Sequence, residues 1–216
     1  GWQTACTHEE MNRAIACFVN RGSVALLLDI KDKGTAWLER TLPPNVKAYY
    51  RYEDIPFGET ELLIAVTPYE YEAPVQTLYY RPQVLHLGVG CKKDTDSAKL
   101  DLFLKKILEE QGIVIEQVAA LASIDVKKEE RGLLEFSEKY RIPFWTYTAQ
   151  ELQAVPGEFH GSEFVKTQVG VDNVCERAAL KAAGTGGWIL LGKQAQDGMT
   201  VAVAEKTWKE RIRMWL

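Results

Sequence analysis

The chain has 216 residues, of which 46% are hydrophobic and 26% charged, and these fractions are typical of a globular protein with one domain or two small ones. Its net charge of −4 excludes the global basic field with which nucleic-acid-binding proteins attract their partners. No apolar run approaches the ~20 residues of a membrane span, and no signal-peptide pattern is present. We therefore expect a cytoplasmic protein that binds neither nucleic acid nor membrane.

Cysteine and histidine are too scattered to predict a metal site. The three histidines lie far apart in sequence, and no two cysteines form a C-x-x-C pair. The length and the spacing also argue against a disulfide framework. We expect reduced thiols, with neither a structural zinc ion nor a resident cofactor. The cysteines are Cys6, Cys17, Cys91 and Cys175.

The first part of the chain predicts a small α/β region. Apolar residues at spacings of three and four predict a helix over residues 9–20, and short apolar runs predict buried strands. The predicted strands cover residues 23–29, 46–52 and 61–66, and a second helix covers 33–42. Residues 67–82 contain three prolines and four tyrosines and are interpreted as an extended linker. We place a boundary near Pro82, with domains over residues 1–82 and 83–216.

Strands and helices alternate after Pro82, which predicts an α/β domain. The predicted fold is a three-layer, mostly parallel sheet with helices on both faces, closed by an antiparallel hairpin at Asp197-Gly198. His86 lies inside the first strand and is predicted to pack in the core. The predicted strands cover 84–89, 118–124, 143–147, 188–192 and 200–204, the helices cover 96–111, 130–140, 148–152 and 171–183, and a loop covers 156–169.

The first loop with unusual residues is Gly88-Val-Gly-Cys-Lys-Lys93, which follows the first strand of this domain. Glycines let the backbone approach a ligand, and N–H groups at a following helix N-terminus favour an anion. The alternative is a tight strand-to-helix turn with solvated lysines. The pattern is neither a dinucleotide fingerprint nor a P-loop. A nucleotide-binding domain remains a minor alternative.

The second loop, Ser123 to Glu130, places a serine, an aspartate and two lysines after an apolar strand. In open α/β sheets ligands bind beyond the carboxyl ends of the strands. Asp125 in this position could act as a general base or orient a water. Its structural alternatives are to cap the next helix or to pair with Lys127.

The third loop, Gly170 to Glu176, begins a helix, where Asp172 or Asn173 could act as the N-cap. Cys175 shares that helix with several alanines and is predicted to be a core residue. Cys91 is the better candidate for reactivity, because lysines and a helix N-terminus would lower its thiol pKa.

These loops and the closing strands together resemble the C-terminal domain of the CbiG/CobE family of cobalamin biosynthesis. The resemblance covers residues 84–206, and residues 11–80 look more loosely like the middle region of CbiG proteins. The matching blocks are Gly88-Val-Gly-Cys-Lys-Lys, Leu121-Ala-Ser-Ile-Asp-Val-Lys-Lys-Glu, Val169-Gly-Val-Asp-Asn-Val-Cys-Glu-Arg-Ala-Ala, Leu191-Gly-Lys193 and Thr200-Val-Ala-Val-Ala. The family's separate N-terminal domain has no counterpart in this chain, which begins with Gly1, so we expect a fragment.

The resemblance implies that the chain belongs to a hydrolase that opens the lactone of cobalt-precorrin 5A and releases acetaldehyde to give cobalt-precorrin 5B. Cobalt is then carried by the substrate. The alternative is a non-catalytic, CobE-like module that binds the corrinoid. A homodimer and contacts with other enzymes of the pathway are left open.

The three loops predict the residues that would hold such a polycarboxylate substrate. We hypothesise that Asp125 activates the water and that Lys127 assists as a donor to carboxylate or oxyanion. The expected substrate contacts are Gly88, Gly90, Cys91, Lys92, Lys93, Ser123, Lys128, Gly170, Val171 and Lys193.

Overall fold

The computed structural model describes residues 2–4, 6–30, 33–159 and 170–207. It divides into two compact units, Gly1–Gln83 and Val84–Thr207. The predicted loop over residues 156–169 lies outside the described residues from position 160 onward. Within the described part of the chain, no helix is long and apolar enough to cross a membrane.

The first unit is built on a five-stranded sheet in the order β1-β5-β4-β2-β3. Strands β2, β3, β4 and β5 are parallel to one another, whereas the edge strand β1 pairs antiparallel with β5. The elements are β1 (Trp2–Thr4), α1 (His8–Val19), β2 (Val24–Leu28), α2 (Lys33–Arg40), β3 (Val46–Tyr49), β4 (Leu62–Val66) and β5 (Gln76–Pro82).

The two faces of this sheet are covered differently. Alternate residues of a strand point to opposite faces. Leu62 and Val24 pack with residues of α1, and Leu26 packs with the residues in and after α2, so both helices cover one face. The other face, which carries Leu27 and Leu63, is covered by non-helical chain. Half of the residues in that layer are aromatic, and the layer includes Tyr52, Ile55, Phe57, Tyr71, Ala73 and Val75.

The predicted linker over residues 67–82 is wrong in its second half, because Gln76–Pro82 forms β5 in the middle of the hydrogen-bonded sheet. Its threonine and tyrosines suit a strand, and the prolines lie at or outside its ends. Leu78 and Arg81 are buried within it. The proline count therefore concealed a strand.

The second unit contains a five-stranded sheet in the order β8-β7-β6-β10-β9. Strands β6, β7 and β8 are parallel, and β10 pairs antiparallel with both β6 and β9. The elements are β6 (Leu85–Cys91), α3 (Ser97–Glu110), β7 (Val118–Ile124), α4 (Arg131–Tyr140), β8 (Phe144–Tyr147), α5 (Ala149–Gln153), α6 (Val174–Ala183), β9 (Trp188–Gln196) and β10 (Met199–Glu205). The predicted α/β architecture with an antiparallel closing hairpin is confirmed.

Helix α6 lies directly on the sheet. A Cβ built on Gly88 would overlap the carbonyl oxygen of Cys175 and stand 2.6 Å from the nitrogen of Ala179. The alanines of α6 are small enough to allow this approach, and Ala178 and Ala179 are fully buried. Helices α3 and α4 pack against each other and contribute Leu100, Leu104 and Leu133 to the core.

The predicted Gly88–Lys93 turn is wrong over its first four residues. Gly88 to Cys91 continue β6 and pair with Met199 to Ala202 of β10. The chain turns only after Cys91, with Asp94 at a φ of 57° just before α3. Gly88 is therefore required for the contact between strand and helix, and not for a tight turn.

Candidate functional site

The carboxyl edge of β6, β7 and β8 is where the fold predicts a ligand site. The strand order reverses at β6, with β7 and β8 on one side and β10 and β9 on the other. In such sheets ligands bind outside the carboxyl ends, at the point of reversal. The N-terminal residue of α6, Val174, lies 4.0 Å from a Cβ built on Gly90 and packs in a cluster with Ile124, so this helix begins at the same edge.

Ser123 joins the ends of β6 and β7. The backbone pairing of these strands runs to Gly88 and Ala122, and beyond it the Ser123 hydroxyl donates to the carbonyl of Val89 at 2.7 Å. The Ser123 side chain is fully buried. The structure thus gives this predicted contact residue a role inside the sheet.

A cluster of four side chains lies just beyond β6 and β7. The Lys127 ammonium pairs with Glu130 at 2.9 Å, and the side chains are only 14% and 6% exposed. The other carboxylate oxygen of Glu130 accepts the backbone N–H of Thr95 at 3.2 Å. Cys91 lies close enough to Lys127 and Glu130 for both charges to act on its thiol. The structure therefore brings together two predicted site residues, Cys91 and Lys127, with two that were not predicted.

The predicted reactivity of Cys91 is not supported. Burial raises the pKa of its thiol, and the opposing effect of Lys127 is smaller. A protonated thiol is a poor nucleophile. Cys175 is buried and its pKa is raised to about 11, mainly by desolvation, which agrees with the predicted core role.

Asp125 takes neither of the two structural roles considered for it, since it does not cap α4 and does not pair with Lys127. Helix α4 has Glu130 at its N-cap position, with no capping bond from a side chain, and Lys127 pairs with Glu130 instead of Asp125. Asp125 is partly exposed in a short 3-10 turn, and no other described residue bonds to its carboxylate. Within the described part of the chain, both oxygens of this carboxylate are left for a ligand or a water.

The predicted lysines differ in their exposure and in their bonding partners. Lys92 and Lys93 are exposed, and their ammonium groups have no bonding partner in the described ranges. Lys128 is 68% exposed and lies 3.9 Å from Glu129, an ion pair that solvent screens strongly. Lys193 is partly buried and close enough to Cys175 to act on its thiol.

The start of α6 is held by Asn173, one of the two predicted N-cap residues, and by Glu176, for which the sequence predicted no role. Asn173 caps the helix by accepting the N–H of Glu176 at 2.9 Å. The buried Glu176 carboxylate accepts an N–H of the Asn173 side chain and the backbone N–H of Lys193 at 2.8 Å. Lys193 sits in an irregular stretch of β9 between the residues paired with Val201 and Val203. This places the Lys193 backbone beside the helix N-terminus.

Gly170 and Val171 precede α6, and the contacts found for them are with other residues of the protein. The Gly170 carbonyl accepts a hydrogen bond from Gln153, and its φ of 76° favours glycine. Val171 is buried beside Ile124 and Leu152. Their placement supports the approach to α6 more directly than it supports a substrate contact.

Metal-binding geometry is not found in the described part of the chain: no group of three or more His, Cys, Asp or Glu side chains there could hold an ion. His86 is a buried core residue, as predicted, with its Nδ1 unpartnered. Desolvation, helped by Lys206, lowers its pKa to about 4.

These features define an α/β protein whose second unit has lysines and an aspartate at the carboxyl edge of its parallel strands, the aspartate without a bonding partner among the described residues. The chain belongs to the cobalamin synthesis G family. The family described as "Cobalamin synthesis G C-terminus" matches residues 85–204, more than half of the chain, and "Cobalamin biosynthesis central region" matches residues 1–82.

Similar proteins support this assignment. The chain is 30% identical over 208 residues to a cobalt-precorrin-5A hydrolase of Priestia megaterium, covering 94% of this chain and 54% of the relative. It is 35% identical over 134 residues to the Salmonella typhimurium protein of the same name, covering 61% of this chain and 37% of the relative. The chain thus spans about half or less of these relatives' length.

A solved structure of CobE, a protein from the cobalamin (vitamin B12) biosynthetic pathway, is also similar. It shares 28% identity and a TM-score of 0.55, and the match covers 60% of this chain and 94% of CobE. The predicted family resemblance is confirmed.

Proposed function

We propose that this chain is part of a cobalt-precorrin-5A hydrolase and that its second unit binds the cobalt corrinoid at the carboxyl edge of β6, β7 and β8. The observation that carries the proposal is the match to the Priestia megaterium hydrolase, because it extends over 94% of this chain. The edge suits such a ligand, since a corrinoid intermediate carries several carboxylates and this edge offers lysine ammonium groups.

In the proposed reaction the Asp125 carboxylate accepts a proton from the attacking water, whose oxygen adds to the lactone carbonyl. Backbone N–H groups near the end of β6 and one of the three Lys127 donors serve the developing oxyanion, and another Lys127 donor is left for a substrate carboxylate. The ring C–O bond then breaks, and the carbonyl carbon retains the oxygen of the water as a carboxylate. The freed alkoxide carbon leaves as acetaldehyde when its C–C bond breaks, and the electron pair left on the macrocycle takes up a proton.

Among the predicted contacts, the proposal uses Lys92, Lys93, Lys128 and Lys193 as carboxylate partners, because their side chains lie around this edge. It assigns Gly88, Ser123 and Val171 to supporting the edge, since all three are buried. Gly90 and Cys91 contribute backbone at the end of β6.

A second candidate is a corrinoid-binding module without catalytic activity. The observation that favours it is the similarity to CobE, whose chain is covered almost completely by the match. In this reading the same lysines hold the macrocycle, and Asp125 meets a polar group of the ligand.

Titration of this chain with cobalt-precorrin 5A separates the two candidates. The corrinoid absorbance reports binding, and an alcohol dehydrogenase assay reports acetaldehyde. Acetaldehyde released with each turnover supports the hydrolase. A change in absorbance without acetaldehyde supports the binding module if the full-length protein also releases none, and shows that the rest of the protein is needed if the full-length protein does release it. No change in absorbance contradicts both candidates.

A further inference from the structure

Glu130 stands out because it is a buried carboxylate at the edge of a proposed anion site. Its side chain is 6% exposed, and its two oxygens face different segments of the chain. Oε2 accepts from the Lys127 ammonium at 2.9 Å, after β7, and Oε1 accepts the Thr95 N–H at 3.2 Å, after β6. One carboxylate therefore joins the two segments that follow the central parallel strands.

The connection continues beyond Thr95. Its hydroxyl donates to the carbonyl of Lys92 at 2.7 Å, and the Lys92 N–H donates to the carbonyl of Gly198 at 3.2 Å. Bonds therefore lead from Glu130 through the turn of Lys92 to the β9–β10 hairpin. That turn is thus connected by hydrogen bonds to a side chain that is only 6% exposed.

Stability alone is a weak reason for this arrangement. Burying an ion pair costs desolvation that roughly cancels the attraction, so apolar residues of similar volume stabilise a fold equally well or better. A lysine ammonium has three donors, and Glu130 is the one bonding partner of Lys127 among the described residues. Donors fixed in direction at a ligand edge are useful for binding a carboxylate.

We propose that Glu130 is a positioning residue, which aims the Lys127 ammonium and holds the Lys92–Thr95 turn so that both can receive one carboxylate of the corrinoid. The proposal rests on the proposed function of this edge. This role would explain why a carboxylate is present in a site for anions. The Glu130 charge weakens the attraction for a substrate carboxylate, and the fixed direction of the donors offsets that loss of affinity.

The test measures binding of two probes to this chain by absorbance: cobyrinic acid, a cobalt corrinoid with free carboxylates, and its uncharged methyl ester. We compare Glu130→Gln with Glu129→Gln. Both substitutions remove one negative charge from neighbouring positions, but Glu129 is 88% exposed, and Lys128 at 3.9 Å is its one ion-pair partner among the described residues. Glu129→Gln is therefore the matched control for charge.

Positioning and charge predict opposite signs. Charge alone makes both variants bind the acid more tightly than the wild type does. Positioning predicts that Glu130→Gln binds the acid about tenfold more weakly, as expected for the loss of one charge-assisted hydrogen bond, while Glu129→Gln does not and ester binding is unchanged.

The proposal is overturned if Glu130→Gln binds the acid as tightly as Glu129→Gln, or if acid and ester lose affinity equally. If the wild type binds neither probe, the proposed function fails and this inference fails with it. Should Glu130→Gln not fold, Glu130→Asp keeps the negative charge and shortens the side chain by one methylene. Wild-type affinity of that variant for the acid then refutes the proposal, and a tenfold weaker affinity for the acid with unchanged ester binding supports it.

Discussion

The two units present their carboxyl strand ends in opposite ways. In the first unit, the Asp29 carboxylate after β2 accepts hydroxyl hydrogen bonds from Thr67 at 2.6 Å and from Tyr71 at 2.7 Å. The buried Arg81 donates to the carbonyl of Tyr69 and contacts Glu70 at 2.5 Å. In the second unit, the Asp125 carboxylate after β7 has no bonding partner among the described residues.

The strand order alone therefore predicts where a ligand site could lie, and the side chains at that edge determine whether its polar groups are already bonded within the protein. Both sheets reverse their strand order beside a strand that is followed by an aspartate. In the first unit the polar groups satisfy one another, and Tyr52 stacks on Tyr71 with ring centroids 4.4 Å apart. Burial, followed by the bond to Asp29, raises the pKa of the Tyr71 phenol, so that hydroxyl remains a donor. We call the first edge closed, because its aspartate bonds to residues of its own unit, and the second edge open, because Asp125 has no bonding partner among the described residues.

The largest effect is expected when the aspartate of each edge is substituted and acetaldehyde release is compared. In the full-length protein, Asp125→Asn should lower acetaldehyde release from cobalt-precorrin 5A by about 100-fold or more, since it removes the proposed general base. Asp29→Asn is the control, and its turnover per folded molecule should stay close to that of the wild type. Unchanged release by Asp125→Asn would show that Asp125 is not the base.

The next effect concerns the helix that begins at the open edge. Gly88→Ala should lower the free energy of unfolding by about 3 kcal/mol, because the new methyl group meets backbone atoms of α6 that cannot move aside. Denaturant unfolding followed by circular dichroism measures this loss. Gly58→Ala is the control, since a Cβ there meets no atom within 4 Å. Equal stability of both variants would contradict the direct contact between strand and helix.

Substitution of Asp29 at the closed edge should lower the free energy of unfolding. Asp29→Ala leaves the hydroxyl groups of Thr67 and Tyr71 without their acceptor and should cost about 2 kcal/mol in thermal or denaturant unfolding. The exposed Glu59→Ala should change the stability by less than about 0.5 kcal/mol. The pKa of Tyr71 should also fall toward its ordinary value, which absorbance titration at alkaline pH detects. A Tyr71 pKa that stays where it was would show that burial alone raises it.

The smallest effect distinguishes the units by their response to acid. The His86 pKa is about 4 in the fold against 6.5 ordinarily, so the fold favours the neutral ring. The resulting stability is complete above pH 6.5 and is lost as the pH falls toward 4. Stability at pH 5.5 should be about 1 kcal/mol below that at pH 7.5. His86→Gln should remove this dependence, whereas substitution of the exposed His8 should not.

Local signals in the sequence predicted most of the second unit. The predicted bounds of β7 match the structure, and the predicted helices over 96–111 and 148–152 begin at caps made by Asp96 and by Thr148 with Glu151. These features depend on residues within a few positions of one another. The strands β1 and β5 were missed because they are stabilised by pairing between distant segments, as Trp2 with Pro82.

The site was predicted less completely than the fold. Asp125 and the lysines could be placed at the edge because they follow apolar strands directly. Glu130 could not be separated from its neighbours in the run Lys127-Lys-Glu-Glu130, where only burial distinguishes the two glutamates. Its spacing of three from Lys127 was the one available signal. The predicted pKa change of Cys91 had the wrong sign, since burial depends on the whole fold.

The contact at Gly88 has a consequence for how tightly a ligand can be held. Because no side chain separates β6 from α6, the helix has little room to rotate or slide against the sheet. Its first residues, together with the backbone of Lys193, which is bonded to Glu176, are therefore kept at a fixed height above the strand ends. Ordering entropy is lost here when the chain folds, so that little would remain to be lost on binding the proposed macrocycle. Such an edge is preorganised.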